Sequence, residues 1–91
     1  MGSPAKLELS QNYPNPFNPL TTIKFSIPQP GNVNLTVYNL LGEQVAELIN
    51  GFREAGVHTI NFNAENLISG LYIYKIEANG MVQSRKMLLV K

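Results

Sequence analysis

Apolar residues recur at every second position through most of this chain, and that spacing favours strands over helices. Ile23, Phe25 and Ile27 alternate with Thr22, Lys24 and Ser26. Val33, Leu35 and Val37 alternate with Asn34, Thr36 and Tyr38. Ile60 and Phe62 alternate with Thr59, Asn61 and Asn63, and Tyr72, Tyr74 and Ile76 with Ile73, Lys75 and Glu77. Each run is short and rich in β-branched or aromatic residues, which suits a half-buried pleated strand.

Turn chemistry separates the runs. Pro28-Gln29-Pro30-Gly31-Asn32 reads as a tight loop, and Leu41-Gly42 as a hairpin turn. Asn50-Gly51 and Asn79-Gly80 are dipeptides favoured in type I′ turns. Ser69-Gly70 opens the strand that follows. Glu43–Ile49 fits a helical face or a strand; its position between two turn signals and its shortness select strand. The last strand reads from Met81 to Lys91. About seven short strands without a helical pattern predict an all-β, immunoglobulin-like β-sandwich of antiparallel strands. Its predicted core is Phe17, Ile23, Phe25, Ile27, Val33, Leu35, Val37, Ile60, Phe62, Tyr72, Tyr74, Ile76, Met87 and Leu89.

A chain of 91 residues holds one such core but no second lobe with a deep cleft between. Charged residues are only 14% and the net charge is +1, so nothing draws it to nucleic acid or an anionic membrane surface. No apolar run reaches the roughly 20 residues of a membrane-spanning helix. There is no cysteine, which excludes disulfides, thiolate nucleophiles and cysteine-based zinc sites together. Met1-Gly2-Ser3 reads as a cloning remnant, with residues 1–6 as remnant and linker and 7–91 as the domain.

The residues that carry most enzyme chemistry are sparse. The chain has no aspartate, and its six carboxylates, Glu8, Glu43, Glu47, Glu54, Glu65 and Glu77, show no paired spacing. They read as solvated charges. His58 is the only histidine, in step with Ile60 and Phe62, and is expected to be partly buried and hydrogen-bonded. No nucleophile elbow accompanies it. Arg53, Arg85, Lys86 and Lys91 are too dispersed for a nucleic-acid surface. No catalytic residue, metal site or cofactor is expected. Tyr13, Tyr38 or a strand tyrosine could form an aromatic platform for sugars, although packing is the simpler role.

The two ends are more distinctive. In Tyr13-Pro14-Asn15-Pro16-Phe17-Asn18-Pro19, three prolines fix φ and remove three backbone donors. This predicts a stiff, polyproline-like strap, with Tyr13 and Phe17 as pegs and Asn15 and Asn18 bonding nearby backbone. Such a strap protects a sheet edge. At the other end, a strong hairpin runs from Gly70 to Lys91, and Tyr72 is placed to bond backbone at a corner.

These motifs together resemble a known family. Tyr13-Pro14-Asn15-Pro16-Phe17-Asn18-Pro19 followed by Thr21-Thr22-Ile23 and Phe25, the Tyr38-Asn39-Leu40-Leu41-Gly42 turn, Ser69-Gly70 with Tyr72 and Tyr74, and the closing Lys86-Met87 with Lys91 resemble the type A C-terminal sorting domain of the bacterial type IX secretion system. The chain is similar also to the immunoglobulin-like domain of the flagellar hook-capping protein. Phe62-Asn63-Ala64 stands where that relative tends to carry Trp-Asp-Gly, which favours the sorting domain.

The resemblance implies a secretion signal. Cargo lying N-terminal to the domain would reach the periplasm by a cleaved signal peptide, and the outer-membrane translocon would recognise the folded domain. A surface protease would then remove it near or before Leu7, leaving the cargo secreted or on the cell surface. The recognition residues implied are Gly70, Tyr72, Lys86, Met87 and Lys91. The residues alone leave two further readings: a carbohydrate- or surface-binding accessory module of an extracellular enzyme, and an assembly or spacer module. The latter would use an exposed edge strand, through which a weak homodimer could also form.

Overall fold

Every alternating run becomes a strand in the computed structural model, which describes residues 6–91. The strands are β1 (Glu8–Leu9), β2 (Leu20–Ile27), β3 (Gly31–Tyr38), β4 (Gln44–Arg53), β5 (Gly56–Asn63), β6 (Gly70–Ala78) and β7 (Met81–Leu89). They form a three-stranded sheet, β1-β2-β5, and a four-stranded sheet, β4-β3-β6-β7. All strand pairs are antiparallel, in the manner of an immunoglobulin-like sandwich. The reading of Met1-Gly2-Ser3 lies outside the described residues.

The inward phases of β2, β3 and β6 supply Ile23, Phe25, Ile27, Val33, Leu35, Val37, Tyr72, Tyr74 and Ile76, all buried. Met87 and Leu89 of β7 complete that face. The core also takes in Leu7, Leu9, Ile49, Ala64 and Ala78, which alternation alone did not single out. Ile60 is only half-buried, because β5 is an edge strand and its flank is uncovered.

The turns divide into two outcomes. Asn79-Gly80 forms the expected tight turn, with φ of 54° and 74°. Asn50-Gly51 does not turn: it continues β4, where Asn50 pairs with Asn34 and Gly51 with Val33. The chain turns instead beyond Arg53. Phe52 and Arg53 still find partners on β3, in Asn32 and Gly31, and continued pairing prevails over the local turn preference. Glu43–Ile49 is strand from Gln44 onward, and the closing strand ends at Leu89 rather than Lys91.

The proline segment is a series of bends rather than a polyproline run, with Tyr13–Pro14 and Asn15–Pro16 cis. It crosses from one sheet to the other. Tyr13 bridges Thr22 of β2, and Phe17 bridges Leu89 of β7. Phe17 is the expected peg, buried and tilted against Phe62 with ring centroids 6.2 Å apart. Tyr13 is not a peg; it is 80% exposed. Its neighbour Asn12 takes the inward place, and alternation turns the Tyr13 ring out.

Candidate functional site

The end hairpin and the strap form one structure. Asn15 Oδ1 accepts the Leu88 N–H at 2.9 Å, the Phe17 N–H donates to the Leu88 carbonyl at 3.0 Å, and the Val90 N–H donates to the Phe17 carbonyl at 2.9 Å. Gln11 Nε2 donates to the Lys86 carbonyl at 2.7 Å. The free edge of β7 is therefore occupied by the strap from Lys86 onward. No hydrogen bond is found for the Asn18 side chain among the described residues, although one to backbone was expected.

Asn12 and Tyr74 hold the centre of this assembly. The Asn12 N–H donates to the Tyr74 hydroxyl at 2.8 Å, and that hydroxyl donates to the Ser10 carbonyl at 2.7 Å. Asn12 Nδ2 donates to Thr21 Oγ1 at 3.0 Å and to the Pro14 carbonyl at 3.1 Å. Burial raises the Tyr74 phenol above its ordinary pKa of 10.0; the Asn12 backbone bond and the Arg85 charge oppose that rise.

Gln83 and Arg85 complete the girdle. Both lie in the inward phase of β7, in register with Ile76 and Tyr74. A polar pair in an apolar phase signals a specific partner, and the partner here is β1. Gln83 accepts the Leu9 N–H and donates to the Leu7 carbonyl, each at 2.9 Å. Arg85 Nε donates to the Leu9 carbonyl. The dispersed basic charge read from the sequence is, at Arg85, a backbone clamp.

The five candidate recognition residues separate into two groups. Gly70 starts β6 at φ 155°, a conformation that side-chain-bearing residues rarely adopt. Tyr72 is buried, and its hydroxyl donates to the Ile68 carbonyl at 2.6 Å, four residues back, as a tyrosine corner does. Met87 is fully buried opposite Tyr72. These three shape the domain. Lys86 and Lys91 face solvent. The Lys91 N–H donates to Ser69 Oγ at 2.9 Å, and its ammonium donates to the Glu65 carbonyl.

The remaining candidates have structural partners. His58 is half-buried, stacks on Phe25 with centroids 5.3 Å apart, and donates from Nε2 to the Glu54 carbonyl at 2.7 Å. Tyr72 and Tyr74 are core residues, and Lys75 lies over the Tyr38 ring, 5.2 Å from its centroid. Of the tyrosines considered for a sugar platform, Tyr72 and Tyr74 are closed by burial, Tyr38 is half-buried under Lys75, and Tyr13 is exposed. A family model described as the secretion system C-terminal sorting domain matches residues 11–91, which includes strap, tyrosine corner and terminal hairpin. No curated protein and no solved structure matches the chain.

Proposed function

The chain belongs to the secretion system C-terminal sorting domain family, and from that premise we infer how its surface and fold divide the work of the signal. The domain is a sorting signal for type IX secretion, borne as a tail by cargo exported through the periplasm and outer membrane to the cell surface or beyond. The family is a signal domain rather than a catalytic one.

Our reading is that the translocon contacts Lys86 and Lys91, whereas Gly70, Tyr72 and Met87 act by maintaining the fold. The solvent exposure of the two lysines beside the full burial of Met87 carries this division. A buried thioether is out of reach of a partner while the sandwich stays folded. We take the domain to begin at Leu7, since Leu7 and Leu9 fill the core ahead of the strap. A surface protease would then cut near or before Leu7.

The test fuses the whole chain to a periplasmic reporter in a host with this secretion system. Deleting Lys86–Lys91 is a poor probe, because it also removes Met87 and Leu89 from the core. Lys86→Ala with Lys91→Ala leaves the core intact. That variant is expected to lose export while its melting transition stays near wild type. Undiminished export would overturn the assignment of the lysines.

A further inference from the structure

The sandwich has four lateral edges, and three of them are guarded along at least part of their length. The backbone of β1 is taken up by Gln83 and Arg85. The backbone of the C-terminal half of β7, from Lys86 onward, is taken up by the strap. The pairing of β4 with β3 is broken by register shifts at Leu35/Thr36 and Val37/Tyr38, which leave Leu48 and Val45 without partners. Such bulges twist an edge away from regular pairing.

Among the described residues, the fourth edge, β5, has none of these devices. Its eight residues pair with β2 in unbroken register from Gly56 to Asn63. It contains no proline and no lysine, arginine or glutamate, the residues that usually blunt an edge. The direction of its free backbone groups follows from the bonds of β2. Thr22 exchanges hydrogen bonds with Tyr13, and the Lys24 carbonyl accepts the Ser10 N–H. The even-numbered residues of β2 therefore serve the β1 side, and the odd-numbered ones serve β5. Thr21, Ile23, Phe25 and Ile27 stand opposite Phe62, Ile60, His58 and Gly56. The N–H and C=O groups of Val57, Thr59 and Asn61 then point away from the sheet, at the spacing of a strand.

We propose that the free edge of β5 docks an extended strand presented by the secretion machinery, which adds to the β1-β2-β5 sheet. This rests on the sorting function above and names the kind of partner it requires. Alternating donors and acceptors along a straight edge fit another extended backbone and little else. The solvent-facing row Val57, Thr59, Asn61 and Asn63 is uncharged, so it fits an uncharged strand. The position of the edge also suits a partner that arrives with cargo attached. Cargo joins the chain ahead of β1, and β1 and β5 are opposite edges of one sheet.

The test again fuses the whole chain to a periplasmic reporter in a host with this secretion system. Thr59→Pro removes one outward donor and no bond to β2. Val57→Lys with Thr59→Lys blunts the same edge without proline and serves if the proline variant fails to fold. Gln44→Lys, on the already bulged β4, is the control. Wild type and Gln44→Lys are expected to export the reporter. An edge variant whose purified domain melts like wild type is expected to lose export about tenfold or more. Export at the wild-type level by such a variant would overturn the docking edge and leave the sorting function standing. Failure of the wild-type fusion to export would instead overturn the sorting function on which the proposal rests. If wild type sedimented as a dimer and the edge variants as monomers that still exported, the edge would belong to a second copy, and the proposal would fail.

Discussion

One flank of the sandwich runs along β1, the strap and β7; the other runs along β4 and β5. On the first, backbone groups of β1 and of the C-terminal half of β7 are met by side chains or by strap backbone, and buried residues anchor the join. Phe17 fills an apolar site there, while Asn12 and Tyr74 satisfy each other and their neighbours. On the second flank, Phe52 and Val57 stay largely exposed, and the β5 edge faces solvent with no covering segment among the described residues. Both flanks end the same two sheets, so sheet-forming preference cannot explain the difference. It comes from a short segment whose three prolines lack the N–H a ladder needs, and which instead lies across one.

Removing the peg should break the contrast most strongly. Phe17→Ala deletes a buried ring that contacts Phe62, and is expected to cost about 3–5 kcal/mol in urea unfolding. A loss comparable to that of a surface substitution would mean the strap rests on the sandwich without stabilising it. Next comes Asn12→Ala, which leaves the buried Thr21 hydroxyl without one of its partners and the Pro14 carbonyl with one donor fewer. A loss of about 1–3 kcal/mol is expected by the same measurement.

Alkaline titration sharpens the comparison, because Tyr74 belongs to the closed flank alone. Its phenol is raised above 10.0 in the folded state, mainly by burial. Above pH 10 the unfolded chain therefore releases this proton before the folded one does. The stabilisation is complete below that pH and falls as pH rises toward the folded value, by at most about 1.4 kcal/mol per pH unit. Unfolding monitored from pH 9 to 11 should show this decline, and Tyr74→Phe should reduce it. The smallest effect is expected on the open flank. Phe52→Ser should change stability by no more than about 0.5 kcal/mol in the same urea assay, since the ring is 56% exposed. A loss several times larger would show that this flank is covered more firmly than its exposure indicates.

Much of the architecture was readable from spacing. Strands β2 to β7, the inward residues of β2, β3 and β6, the Asn79-Gly80 turn and the Tyr72 corner follow from local pattern and turn chemistry. The errors share one cause. Asn50-Gly51 has turn character, yet its pairing along β3 keeps it extended. Tyr13 is the larger apolar residue, yet the buried position belongs to Asn12, whose amide finds Thr21 and the Pro14 carbonyl. Arg85 read as dispersed basic charge until β1 was set beside it. Each outcome depends on a segment distant in the chain.

The candidate site divides along the same line. Gly70, Tyr72, Lys86, Met87 and Lys91 could be named from motif order, but their number in sequence does not tell which ones a partner can touch. Burial separates Tyr72 and Met87 from Lys86 and Lys91, and burial is a property of the assembled sheets. Likewise, the alternation of β5 declares a strand, whereas its being an unguarded edge depends on what the other strands and the strap leave uncovered. By itself the sequence determined the elements, because alternation, proline and glycine act over a few residues. The tertiary structure alone decided the partners, because a buried amide or a free edge is defined by residues far away in the chain, as Asn12 and Tyr74 are by their 62-residue separation and Leu9 and Arg85 by 76.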